Sequence, residues 1–168
     1  MKYLILIFSF FMLLQVNAYS QTNPLLTEFD TPFNVPPFDR IENKHFIPAL
    51  REGMKKQNDI IETIVSNTES PTFENTILAF EYSDNLLTEV RNIFGNMQSA
   101  NTNTELQKIA SEIAPELSAH SDNILLNDKL FARIKAVYET KNRLTDTEQI
   151  KLLEDTYKRF ARGGANLD

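Results

Sequence analysis

The chain has no cysteine, only two histidines and only four glycines. Without a thiol there is no disulfide framework, no thiolate zinc site and no cysteine nucleophile. The glycines, Gly53, Gly95, Gly163 and Gly164, are too sparse to form a loop that cradles phosphates. His45 and His120 lie far apart, and neither belongs to an HExxH pattern, which would offer zinc two imidazoles one helical turn apart. Glu116 and His120 come closest to a ligand pair, but carboxylate and imidazole at that spacing usually share a solvated hydrogen bond. No G-x-S-x-G elbow occurs, and no serine has a histidine near it in a hydrolase pattern. No catalytic, cofactor-binding or metal-binding residue is therefore assigned. A cluster of one sign of charge is missing too. The formal net charge is -6 with no Lys/Arg run, and such a surface repels phosphate backbones and anionic lipids, which excludes nucleic acid and lipid surfaces as partners.

What is present reads as one globular unit. At 168 residues, 42% hydrophobic and 24% charged, the chain is long enough for one core and short for two. Its first 18 residues stand apart: Met1-Lys2 is a short positive start, "YLILIFSFFMLL" is an apolar run of about a dozen residues, and "VNA" places small residues at a cleavage site. That pattern predicts a signal peptide cut after Ala18 and an exported, periplasmic product with no membrane anchor, since the run falls short of the roughly 20 residues a spanning helix needs. Removal of Lys2 takes the formal charge from -6 to -7.

Residues 19–44 are expected to form an extended, proline-rich arm. Pro24, Pro32, Pro36 and Pro37 fix φ and withhold backbone donors. Leu25, Leu26, Phe29, Phe33, Val35 and Phe38 are more apolar groups than a solvated tail needs, so the arm is expected to pack across a larger body.

From His45 onward the apolar residues recur at helical spacing. Phe46, Ile47, Leu50, Met54, Ile61, Ile64 and Val65 share one face of a first helix, with Pro48 tolerated in its first turn. In "PTFENTI" Pro71 discourages helix backwards, Thr72 is the expected N-cap and Glu74 meets the positive end of the dipole. One long helix is predicted from there to about "SANTN", burying Phe73, Ile77, Phe80, Leu87, Val90, Phe94 and Met97. A third helix carries Leu106, Ile109, Ile113, Leu117 and Ile124, with Thr102 and Glu105 as a capping box and a kink at Pro115. A fourth is capped by Asn127 and buries Leu130, Phe131, Ile134, Val137 and Tyr138. A fifth has Thr145 and Glu148 as its capping box, buries Ile150, Leu153, Tyr157 and Phe160, and ends at Gly163-Gly164. The predicted fold is all-α, with short polar connections that favour antiparallel neighbours.

Beyond this local reading, "PPFDRIENKHFIPALREGM", "PTFENTILAFEYSDNLLTEV", "NTNTELQKI", "LNDKLFARIKAVY" and "YKRFARGGANL", preceded by "NPLL", occur in one collinear order. In that order they resemble the N-terminal part of the peptidyl-dipeptidases (dipeptidyl carboxypeptidases) of the thimet oligopeptidase and oligopeptidase A family of zinc metallopeptidases. The resemblance covers nearly all of the chain after residue 18 and implies a neurolysin-like, channel-containing fold of two helical lobes that admits short peptides. It also implies zinc held by HExxH and a downstream glutamate on the second lobe, with the HExxH glutamate as general base. None of those residues lies within Met1–Asp168. Residues 45–168 are accordingly expected to be the N-terminal helical region of such an enzyme, inactive alone, binding no zinc itself and partnered by its catalytic lobe. The alternative is a free-standing helical module that binds peptides or proteins without catalysis.

Overall fold

The computed structural model describes residues 22–164. The predicted signal peptide lies outside them. The described residues form helices and turns with no strand, so the fold is all-α as expected. In chain order the helices are α1 (Phe46–Ser66), α2 (Ala79–Glu81), α3 (Asn85–Asn101), α4 (Thr104–Leu125), α5 (Asp128–Glu139) and α6 (Thr147–Arg162).

Side-chain pairings give the directions. Gln57 meets Ser83 while Gly53 faces Leu87, so α1 and the α2–α3 stretch run antiparallel. Arg51 pairs with Glu116 and Gln57 with His120, which sets α4 parallel to α1. Phe131 meets Phe160 and Lys141 meets Glu154, an antiparallel relation for α5 and α6.

Two apolar clusters form the interior. The first joins Leu25, Phe29 and Ile41 of the arm to Phe46, Leu50 and Met54 of α1, to Leu87, Val90, Ile93 and Phe94 of α3, and to the first half of α4. The second joins Ile61 and Ile64 of α1 to Phe73, Ile77 and Phe80, then to Ile124, the inner face of α5, and Leu153 and Phe160 of α6. Helix α1 thus serves both clusters with opposite ends of one apolar stripe.

Several local expectations change on packing. The long helix predicted from Thr72 is interrupted: a π-helical stretch, Phe73–Leu78, leads into α2, and a 3-10 turn, Tyr82–Asp84, separates α2 from α3. The break falls where the chain passes from one cluster to the other. There the buried Ser83 hydroxyl donates to the Phe80 carbonyl at 2.6 Å and so occupies an acceptor that the α-helical ladder would use. Thr72 does cap the stretch, accepting from the Asn75 N–H at 3.1 Å, while the Asn75 side chain accepts from the Thr72 N–H at 2.8 Å.

The two predicted capping boxes shift by one residue. Asn103, not Thr102, caps α4 by accepting from the Leu106 N–H at 2.9 Å. Asp146, not Thr145, caps α6 by accepting from the N–H groups of Glu148 and Gln149. In both, the Oδ1 of an Asn or Asp, carried one bond further from the backbone than a threonine hydroxyl and with no β-methyl beside it, reaches the free donors. Asn127 caps α5 as expected. Helix α4 continues through Pro115, on its exposed side, where water can satisfy the carbonyl that loses its partner. Gly163 closes α6 and Gly164 follows at φ 107, the left-handed position glycine tolerates.

The arm is less extended than its prolines suggest. It carries 3-10 turns at Pro24–Leu26, Pro32–Asn34 and Asn43–His45. Leu25 and Phe29 are buried against α1, but Leu26, Phe33, Val35 and Phe38 face solvent.

Candidate functional site

Gln57 sits in the α1 stripe among Leu50, Met54, Ile61 and Ile64, where the helical period turns it inward. A buried amide costs free energy unless both its ends are paired. Its Nε2 donates to the Ser83 hydroxyl at 3.3 Å, and its Oε1 meets His120 Nε2 at 2.7 Å. Since Ser83 in turn donates to the Phe80 carbonyl, the chain of bonds has one direction. His120 Nε2 carries the proton and Nδ1 is the free lone pair. This polar seam crosses α1, the break before α3, and α4, between the two apolar clusters.

Beside the seam lies a cavity of about 150 Å³ whose lining includes Gln57, Asp84, Arg91, His120 and Arg159. Burial holds the His120 imidazole below its ordinary 6.5, so the ring is neutral near pH 7. Arg159 lays its guanidinium over the Phe80 ring, 5.1 Å from the centroid. Ser121 and Asp84 also line the cavity, and the His120 ring is engaged by the Gln57 amide.

The pair Glu116 and His120 is not brought together. Glu116 turns outward to a two-pronged pairing with Arg51, at 2.6 and 2.9 Å, and that guanidinium holds its carboxyl below the usual range. His45 uses one ring nitrogen: its Nδ1 accepts from the Glu42 N–H at 2.9 Å while its buried Nε2 meets no hydrogen-bond partner, and its carbonyl accepts from Asn23 at 2.8 Å, which pins the arm to the start of α1. Among the described residues no group of three or more His, Cys, Asp or Glu side chains could hold a metal ion. The donor set does not fit zinc, because the two histidines are buried in different places, His45 beside Glu42 and His120 beside Gln57, and neither belongs to such a group.

A second polar centre went unpredicted. Arg133 of α5 donates to the Asn67 carbonyl at 2.8 Å and to Asn75 Oδ1 at 3.2 Å, and Asn75 Nδ2 donates to the Ser70 carbonyl at 3.0 Å. These bonds clamp the loop between α1 and the π-helical stretch onto α5. Arg133 reads as an ordinary helix-surface cation in sequence, so nothing there marked it. Gln57 did leave a signal, as a polar residue at a stripe position.

No protein-family model matches the chain. Sequence relatives are informative. The chain is 42% identical over 147 residues to Dipeptidyl carboxypeptidase of Salmonella typhimurium, covering 87% of this chain and 22% of that protein. It is 42% identical over 146 residues to Dipeptidyl carboxypeptidase of Escherichia coli, covering 86% and 21%. Oligopeptidase A of Escherichia coli is 25% identical over 147 residues, again 87% of this chain and 21% of the relative.

The chain is similar to the N-terminal part of the dipeptidyl carboxypeptidases.

It spans about a fifth of the length of these relatives. At 42% against 25%, the dipeptidyl carboxypeptidases are nearer to it than oligopeptidase A is. The resemblance of the "PTFENTI" stretch now has a structural meaning. Thr72, Asn75 and Arg133 clamp it at the point where the chain turns from α1 back into the second apolar cluster.

Proposed function

We propose that this chain is the N-terminal, channel-walling part of an exported zinc metallopeptidase that cleaves oligopeptides and releases dipeptides from their C-termini. The observation that carries this reading is the 42% identity to dipeptidyl carboxypeptidase over 87% of the chain. In this reading the described residues hold and shape; they do not react. Their buried histidines serve packing and capping, and the helices supply a firm wall that limits entry to short, unfolded peptides. Zinc, when bound in the longer parent, would supply an activated water, and its ligands belong to the catalytic lobe. The partners are then short peptide substrates and that lobe, with neither nucleic acid nor membrane after the first 18 residues are removed.

The deciding experiment reads the coding sequence beyond Asp168 and assays both products. An HExxH downstream, with chelator-sensitive release of C-terminal dipeptides by the parent and none by residues 19–168 alone, is expected. A stop codon after Asp168 favours instead a free-standing helical module that binds peptides or proteins. Chelator-sensitive cleavage by residues 19–168 alone overturns the assignment of the chemistry to the other lobe. For export, N-terminal sequencing of the mature protein is expected to begin at Tyr19; a product that begins at Met1 defeats it.

A further inference from the structure

The arm carries most of the large apolar surface left open by the described residues. Phe33 is 98% exposed, with Val35 at 48% and Phe38 at 45%. They sit on one loop with a firm base. Phe29 and Ile41 are buried at its two ends, Pro37 is buried beside them, and the Arg40 guanidinium meets the Asp30 carboxylate at 2.8 Å across the neck. At the tip the Asn34 N–H donates to the Thr31 carbonyl at 3.1 Å, the Val35 N–H donates to the Pro32 carbonyl at 3.4 Å, and the Thr31 hydroxyl closes onto the Val35 carbonyl.

This tip holds two side-chain-bearing residues in the left-handed region, Phe33 at φ 60 and Asn34 at φ 54. Asparagine tolerates that region, whereas an aromatic residue is disfavoured there. Water gives no return for holding a phenyl ring outward in such a conformation. Contact with an apolar pocket does. Next to the loop, Pro36 and Phe38 join Ile93 of α3 in a shallow groove whose rim is the amides of Asn85, Asn92 and Asn96 with one carboxylate, Glu89. Its surface suits protein more than a charged small ligand.

We propose that the Phe33 loop is the anchor by which this region docks onto the polypeptide that follows it in a longer peptidase, with Phe33 filling an apolar pocket of that lobe. The inference rests on the reading of the chain as an N-terminal part. The occupant is chosen because the match is to the N-terminal part of relatives of which this chain spans 22%, so most of their length follows it.

The test places the photo-cross-linker p-benzoylphenylalanine at position 33 in the full-length parent, with a control at Tyr82, which is 60% exposed but outside the loop. Mass spectrometry is expected to find position 33 joined to a peptide C-terminal to Asp168, and position 82 not joined to it. In parallel, Phe33→Ser in the parent is expected to speed proteolytic separation of the two parts by about tenfold. Cross-links confined to residues 22–164, whether of the same chain or a second copy, overturn the proposal, and so does unchanged proteolysis. Either result leaves the peptidase reading standing. A coding sequence that stops after Asp168 removes both.

Discussion

Gly53 of α1 lies against Leu87 of α3 so closely that a Cβ built on it would stand 2.9 Å from the Leu87 Cα. The obstacle is backbone, which no rotamer change can move aside. Gly53→Ala improves helix propensity by about 1 kcal/mol, but overpacking of this kind costs about 1–3 kcal/mol. The second effect wins, and the urea midpoint is expected to fall. At Gly95, where an added Cβ meets nothing within 4 Å, the same change is expected to leave stability equal or improved. A midpoint for Gly53→Ala at or above the wild type would show that the helices can part freely.

His120 makes stability depend on pH. Its folded pKa is depressed by burial, so the unfolded chain takes up a proton that the folded one refuses. The contribution is full above the ordinary value of 6.5 and is lost as pH falls from there through the folded pKa. Urea unfolding at pH 7.5 and 5.5 is expected to show a drop for the wild type and a smaller drop for His120→Gln, which retains a donor toward Gln57. Equal drops in the two proteins would place the pH dependence elsewhere.

Asn75 ties the junction loop together. Its side chain serves the Thr72 N–H, the Thr76 hydroxyl, Arg133 and the Ser70 carbonyl. With each net bond worth about 1 kcal/mol and one partner partly buried, Asn75→Ala is expected to cost about 2–3 kcal/mol in chemical denaturation. Asn75→Asp is expected to recover part of that, since it keeps the acceptor toward Arg133. A loss below that of Thr72→Ala, which removes one cap, would show that the network is dispensable.

The caps offer a paired comparison. Asn103→Ala is expected to lower stability by about 1 kcal/mol and Thr102→Ala by much less, because only Asn103 accepts from a free helix donor. The same contrast is expected between Asp146→Ala and Thr145→Ala. A reversed order in thermal melts would return the caps to the positions that local spacing favours.

Periodicity was a good guide wherever one face of one helix met one cluster. Phe46, Leu50, Met54, Leu130, Ile134, Leu153 and Phe160 are all buried as their spacing predicts. It misled between Phe73 and Phe94, where a single apolar stripe serves two clusters and the helix is interrupted at Tyr82–Asp84 to reach both. It also overstated the arm, because apolar composition does not say whether a phenylalanine points in, as Phe29 does, or out, as Phe33 does. The candidate site was legible only in part. Gln57 interrupts an apolar stripe and so can be noticed, but its partner His120 is 63 residues away, and no local spacing links them.

The sequence by itself determined the helical class, most of the buried faces and the Asn127 cap, since these depend on side-chain type and on neighbours within a turn or two, and it carried the similarity to the N-terminal part of dipeptidyl carboxypeptidases. Tertiary structure alone decided that α1 is shared by two clusters, that a polar seam of Gln57, Ser83 and His120 divides them, and that Arg133 clamps the Thr72–Asn75 junction. Those relations join residues distant in the chain. They arise only when buried polar groups must find partners across the helices that happen to pack together.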